Sequence, residues 1–301
     1  MGSHLCEDLL AKGHEVVVID NFDPYYPEAT KRRNLSSCLA NGASLVQLDI
    51  RDATGVRKAL AELQPAVVVH LAGRPGVRAS LRDPQLYLGI NLSGTLNILD
   101  ACRQNHVTRI VFASSSSVYG VNNKIPFAED DPVLSPISPY AVTKASSELL
   151  CHAYSRLYEL NISCLRFFTA YGPRQRPDMA IHRFARLLRA GQTLPIFVGS
   201  SGRDYTYVSD IVSGIIAAIE NPRPFRIYNL GAGQLVPIED VVARLAESFG
   251  VQAETERLGE EPGDVPVTLA DISRARAELG FEPRVSFEEG IARFTKWFLT
   301  Q

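Results

Sequence analysis

Short β-branched and apolar runs, alternating with helix-like stretches, restrict the folds open to this chain. The runs occupy residues 15–20, 44–48, 66–71, 109–113, 163–168 and 226–230. Each has the length of a strand buried on both faces. Between several of them, as at residues 56–63 and 92–103, apolar side chains recur at helical spacing. Leu5, Leu9 and Leu10 share that spacing, and Gly13 then ends a first helix. Strand and helix in alternation read as βαβ units, so the expected fold class is α/β with a doubly wound parallel sheet.

From Thr169 onward Pro and Gly thicken at Gly172-Pro173, Arg176-Pro177, Pro222, Pro224 and Pro262-Gly263, and the regular alternation gives way to loops and short helices. A smaller second lobe is expected there. Residues 1–168 with about 205–235 are assigned to the larger body, and about 169–204 with 236–301 to the smaller lobe.

Thirty-one Lys and Arg stand against thirty-three Asp and Glu, a net charge of -2, so nothing in the balance points to nucleic acid or to an anionic membrane surface. Five scattered cysteines, without a C-x-x-C pair, predict reduced thiols in a cytoplasmic protein. The six histidines show no ligand spacing, and no metal is expected. Apolar runs such as residues 66–69 and 215–219 are far too short to span a bilayer.

A Rossmann-like dinucleotide fold opens with a strand, a glycine-rich turn and a helix, and an acidic residue about 20 positions on meets the adenosine ribose. Here Gly2 stands at the start of the first helix and Asp20 closes the next strand eighteen residues later. The first strand and the other glycines of such a turn are not in the sequence. The expectation is a chain short of roughly ten leading residues, through a misassigned start or as a natural fragment.

Tyr140-Ala141-Val142-Thr143-Lys144 puts a phenol and an ammonium four residues apart on one helix face. Just upstream, Val111-Phe112-Ala113 runs into the hydroxyl cluster Ser114-Ser115-Ser116-Ser117 and then Val118-Tyr119-Gly120. That is a strand's carboxyl end, the edge at which open α/β sheets bind ligands. The combination resembles the extended short-chain dehydrogenase/reductase family of nucleotide-sugar enzymes, and the resemblance runs along essentially the whole chain.

The resemblance implies NAD as cofactor, Tyr140 as acid/base, Lys144 beside it lowering its pKa, and Ser115 bonding the sugar O4. A phenol ionising near pH 7 instead of about 10 needs roughly 4 kcal/mol of stabilisation, expected from Lys144 and the oxidised nicotinamide. It further implies cofactor contacts at Gly2, Asp20, Asn21, Asp49, Ile50, Leu71, Ala72, Gly73 and Asn91 as well as Tyr140 and Lys144, with Asp20 favouring NAD over NADP. From the residues alone, Asn91 is equally readable as a turn residue and Asp49 as a helix cap. On the substrate side it implies Ser115 and Ser116, Arg203 of Arg203-Asp204-Tyr205-Thr206-Tyr207 on the diphosphate, and Asp264 of Gly263-Asp264-Val265-Pro266 near the nucleotide.

Dehydratases and decarboxylases of this family carry an acid where Ser117 stands, since elimination needs an additional proton-transfer group. The epimerases remain. Within them, Arg166-Phe167-Phe168-Thr169-Ala170-Tyr171-Gly172-Pro173, followed by Arg176-Pro177-Asp178-Met179-Ala180, most resembles UDP-glucuronate 4-epimerases. A C6 carboxylate needs a cationic cradle, for which Arg78, Arg176 and Thr169 are candidates beside the ordinary reading of solvated loop arginines. The implied reaction removes hydride from C4 and returns it to the opposite face of a 4-keto sugar. UDP-glucose or UDP-N-acetylglucosamine epimerisation is the alternative within the family, and a catalytically inactive dinucleotide-binding protein or fragment the alternative outside it. The resemblance also implies a homodimer through helices near residues 92–103 and 140–158, packed as a four-helix bundle.

Overall fold

The computed structural model describes residues 1–122, 124–197, 202–259, 263 and 265–301. The first body runs α1 (Gly2–Ala11), β1 (Val17–Asp20), α2 (Glu28–Ala40), β2 (Ser44–Gln47), α3 (Ala53–Leu63), β3 (Val68–His70), α4 (Val77–Arg82), α5 (Pro84–Tyr87), α6 (Gly94–Gln104), β4 (Arg109–Ser115), α7 (Pro139–Tyr158) and β5 (Asn161–Phe167). A one-turn π-helix, Leu88–Ser93, joins α5 to α6, and a 3₁₀ turn, Ser116–Tyr119, follows β4. Next come β6 (Thr169–Tyr171), α8 (Ala180–Arg189), β7 (Leu194–Phe197), β8 (Gly202–Tyr207), α9 (Val208–Glu220), β9 (Phe225–Leu230), β10 (Leu235–Pro237), α10 (Ile238–Phe249), β11 (Thr255–Leu258), β12 (Val267–Thr268), α11 (Ser273–Leu279) and α12 (Phe287–Leu299).

All six strands expected from the sequence form, and all pair in parallel, in the orders β1-β2 and β3-β4-β5-β9. The fold is Rossmann-like α/β. Successive side chains of a strand point to opposite faces, and β4 feeds two cores accordingly. Ile110 and Phe112 pack with Ile98, Leu99, Cys151 and Cys164, whereas Val111 and Ala113 pack with Leu165, Ile211, Ile215 and Leu230.

The β1-β2 pair has a small core of its own, Cys6, Phe22, Leu35, Cys38 and Ala43, beneath α1 and α2. Among the described residues no strand pairs with the second edge of β1 or with the outer edge of β3, and both edges border one cavity. Helix α1 packs on both α2 and α9, and α3 packs on α6, so helices join the two parts of the sheet.

A further sheet is built on β8, which pairs with β6, β10 and β12. Its core is rich in aromatic residues, with Tyr171, Phe184, Tyr205, Tyr207, Phe287, Phe294 and Phe298. The buried carboxylate of Asp204 accepts hydrogen bonds from the backbone N–H groups of Ala232 (2.7 Å), Gly233 (2.9 Å) and Ala270 (3.2 Å). It thereby ties this sheet to the segment after β9. Such multiple N–H donors satisfy a charge that burial otherwise makes costly.

Candidate active site

β4 continues two residues beyond its apolar run because Ser114 and Ser115 still pair with Arg166 and Phe167 of β5. This carries Ser115 to the carboxyl edge of the sheet. Opposite it, α7 starts at Pro139, where a proline fits the first helical turn, with the Ser138 hydroxyl accepting from the Ala141 N–H at 3.1 Å. That cap places Tyr140 in the first turn and Lys144 in the next. The Tyr140 ring meets the edge of Tyr87 at a centroid distance of 6.3 Å and 84°, and the Tyr87 hydroxyl donates to the Pro75 carbonyl at 2.6 Å.

Burial pushes the Tyr140 phenol above its ordinary pKa, while a hydrogen bond with Ser115 and the charge of Arg176 pull it back down. Lys144 is buried, and its Nζ donates to the Ala113 carbonyl at 2.7 Å. The groups acting on the phenol here are thus Ser115 and Arg176, whereas the Lys144 ammonium is bonded to the Ala113 carbonyl. Burial holds that ammonium down to about 8, against raising contributions from Cys151, Glu148 and Cys164. Behind it, His70 is held down to about 3, first by burial and then by the Lys144 charge.

One cavity of about 1450 Å³ brings the candidates together. Its wall includes Gly2, Asp20, Asn21, Asp49, Ile50, Leu71, Ala72 and Gly73, together with Ser115, Ser116, Tyr140, Lys144, Arg78, Thr169, Arg176 and Arg203. Asp20 accepts from the Phe22 N–H at 2.7 Å, and Asn21 donates to Asp49 at 2.9 Å. Hydrogen bonds from Arg51 are the main cause that holds the Asp49 carboxyl down to about 2. A Cβ on Gly73 would lie 3.2 Å from Asn91 Oδ1 and 3.5 Å from Lys144 Nζ, so the absence of a side chain there keeps the loop close against α7.

Asn91 is the candidate that the structure places elsewhere. It is absent from the cavity wall, and its amide is consumed by the backbone of Arg74, accepting from N–H at 2.7 Å and donating to C=O at 2.9 Å, with Thr143 at 3.2 Å. Asn91 positions the loop rather than lining the cleft. Asp264 lies outside the described residues.

The Arg78 guanidinium lies 4.6 Å over the Phe197 ring, and Arg203 donates to the Gly202 and Pro266 carbonyls at 2.9 and 3.0 Å. Arg176 sits 3.3 Å from Asp178 through Nη2, while its Nη1 is buried without a hydrogen-bond partner. Sequence reasoning missed Tyr25, Tyr87 and Asp178. The Tyr25-Tyr26 pair just beyond Asp20 and the Asp178 two residues from Arg176 were the available signals. Among the described residues, no group of three or more His, Cys, Asp or Glu side chains is arranged to hold a metal ion, and no helix is long and apolar enough to cross a membrane.

UDP-glucuronate 4-epimerase 4 of Arabidopsis thaliana is 38% identical over 320 residues, covering 100% of this chain and 73% of the plant protein. The crystal structure of UDP-glucuronic acid 4-epimerase from Bacillus cereus, in complex with UDP-glucuronic acid and NAD, superposes with a TM-score of 0.94 at 37% identity and covers 99% of this chain and 96% of that one. A UDP-glucose 4-epimerase from Thermus thermophilus, in complex with NAD, gives a TM-score of 0.90 at 34% identity, covering 99% and 95%. The profile of the GDP-mannose 4,6 dehydratase family matches residues 1–294. Matched over nearly its whole length, the chain belongs to the GDP-mannose 4,6-dehydratase family of short-chain dehydrogenases/reductases.

Proposed function

We propose that this chain is an NAD-dependent UDP-sugar 4-epimerase that interconverts UDP-glucuronate and UDP-galacturonate. The observation that carries the acidic substrate is Arg176. Its charge reaches the Tyr140 phenol, and its buried Nη1 has no partner. An unmet buried donor costs about 1–3 kcal/mol, and a C6 carboxylate beside the reacting C4 satisfies it. Thr169 and Arg78, on the same cavity wall, complete the cradle.

The residues present fit a dinucleotide. The cavity is continuous from Asp20, at the end of β1, to Tyr140, and at Gly73 a side chain would crowd Asn91 and Lys144. Asp20, Asn21 and Asp49 would hold the adenosine end, and Leu71, Ala72, Gly73 and the start of α1 at Gly2 the middle. Bound NAD supplies the acceptor for the C4 hydride and returns it.

The chain's own residues manage the proton. Ser115 holds the sugar O4, and the Tyr140 oxygen takes the O4 proton on oxidation and gives it back on reduction. Lys144 is fixed on Ala113 one helical turn from Tyr140, and Arg176 supplies the charge that reaches the phenol. Ser117 stands where an eliminating enzyme needs a further acid, and its N–H and hydroxyl lie 3.2 Å from Ser115 Oγ, an arrangement that supports epimerisation. Arg203 takes the diphosphate, and the lobe formed by about 169–204 and 236–301 carries the nucleotide.

The enzyme acts as a homodimer through α6 and α7. Leu96, Val142, Leu149 and Leu157 are exposed along these helices, a pattern suited to a four-helix bundle. It works in the cytoplasm, which five buried, unpaired cysteines support. The alternative, a neutral UDP-hexose, draws support from the Thermus thermophilus neighbour. A proton NMR time course with UDP-glucuronate and NAD, read in the anomeric region, decides between them. UDP-galacturonate is expected; turnover of UDP-glucose alone, or of neither sugar, overturns the assignment.

A further inference from the structure

Three loops meet at Tyr25. It lies in the loop that leaves β1 at Asp20 and begins with Asn21, and its N–H donates to Asp23 at 2.9 Å. Asp23 accepts two hydrogen bonds from Arg74 Nη1, at 2.7 and 2.9 Å, and the Arg74 guanidinium lies 5.0 Å from the Tyr25 ring centroid. Gly76 admits the phenol. A Cβ there would stand 2.6 Å from the Tyr25 hydroxyl, and its φ of +105° is one that L side chains rarely adopt.

From the third loop, Asp178 Oδ2 accepts from the Tyr25 hydroxyl at 3.2 Å and pairs with Arg176 Nη2 at 3.3 Å. Arg176 Nη2 also lies 3.1 Å from the Met179 sulfur, and its guanidinium sits 5.3 Å from the Tyr25 ring centroid. The ion pair and the sulfur contact fall on Nη2 and the Tyr25 phenol also bonds the guanidinium, while Nη1 stays buried and unmatched. A flexible arginine spends conformational entropy whenever it is ordered by a ligand; one already ordered binds more tightly.

We propose that Tyr25 and Asp178 are positioning residues that set the preference for an acidic sugar, holding Arg176 by its Nη2 side and reserving Nη1 for the C6 carboxylate. This rests on the UDP-glucuronate assignment above. Selectivity is then built partly from the loop that follows the cofactor-facing Asp20. Neither side chain contacts the reacting atoms. Tyr25 acts on Arg176 directly and through Asp178, and Asp178 acts through Arg176.

The test is calorimetric titration of the full chain, in the presence of NAD, with UDP-glucuronate and with UDP-glucose. The variants are Asp178→Asn, Tyr25→Phe and the pair together; Tyr25→Phe keeps the ring beside Arg176 and removes only the hydroxyl. Asp178→Asn is expected to weaken UDP-glucuronate about 3- to 10-fold while UDP-glucose moves less than about 2-fold. Tyr25→Phe is expected to act in the same direction and more weakly, and the double variant to lose less than the product of the two single losses. Equal losses for both sugars, no change, or tighter binding of the acid by Asp178→Asn overturn the proposal. Wild-type chain that fails to prefer the acid overturns the UDP-glucuronate assignment and this inference with it. An acid preference that survives both substitutions overturns this inference alone.

Discussion

The ammonium nitrogen of Lys144 lies 2.7 Å from the carbonyl oxygen of Ala113, which anchors the charge of α7 to β4 two residues before Ser115. The position is costly. Burial brings Lys144 to about 8 from 10.5, so between those values the unfolded chain holds a proton that the folded chain has lost. Stability therefore rises with pH across that window, and below it the full penalty of roughly 3 kcal/mol stands.

Lys144→Met should accordingly raise the melting temperature at pH 7 by a few degrees. The lost bond to Ala113 offsets about 1 kcal/mol of the gain. Activity should fall at least about 100-fold. Thermal melts at pH 7 and pH 10, beside an epimerisation assay, check both halves, and the stability gain should shrink at the higher pH.

On the proposed mechanism Tyr140→Phe removes the group that exchanges the O4 proton, and a loss of about 1000-fold in kcat with intact UDP binding is expected. Ser115→Ala should cost about 100-fold. Because Ser115 pulls the Tyr140 pKa down, its removal should also move the rising limb of the pH–rate profile to higher pH.

Arg176→Ala deletes the cation beside Tyr140. UDP-glucuronate should bind about 10- to 100-fold more weakly, with a smaller effect on UDP-glucose. Oxidation at C4 makes glucuronate a β-keto acid, and a cradle that keeps the C5–C6 bond out of line with the carbonyl π system suppresses loss of carbon dioxide. The NMR time course of the variant should therefore show more pentose by-product; clean product at unchanged rate contradicts the cradle.

His70 is fully buried against Thr95 and Lys144, and its pKa of about 3 lies below the ordinary 6.5. Between those values the unfolded chain binds a proton that the folded chain refuses, so stability falls as the pH drops through the window, by about 1.4 kcal/mol per unit. Urea midpoints from pH 6.5 to 4.5 should show this decline, and His70→Gln, which can still bond Thr95, should flatten it.

Much of this was readable from the residues because it is local. A four-residue interval stacks Tyr140 on Lys144 in any α-helix, and apolar runs mark β4 and β5 whatever surrounds them. What escaped depends on distant chain. Asn91 falls on a π-helical turn, Leu88–Ser93, where the usual period fails, and so it turns toward Arg74 and Thr143. Arg166 was visible only as part of a motif. In the fold it is buried against Glu148, with Nη2 to Oε2 at 2.8 Å, a pair between β5 and α7 that no sequence interval announces. Likewise, Ser114 and Ser115 extend β4 beyond its apolar run because β5 continues alongside.

The division of the sheet also has a dynamic consequence. Ladder hydrogen bonds make strands open together, whereas elements joined through helix packing alone can open as separate cooperative units. The β1-β2 pair, with its own five-residue core, should exchange its amide hydrogens through an opening that leaves β4 and β5 closed. Asp20 belongs to the first of these units and Ser115 to the second, so protection at the two ends of the one cleft is expected to differ.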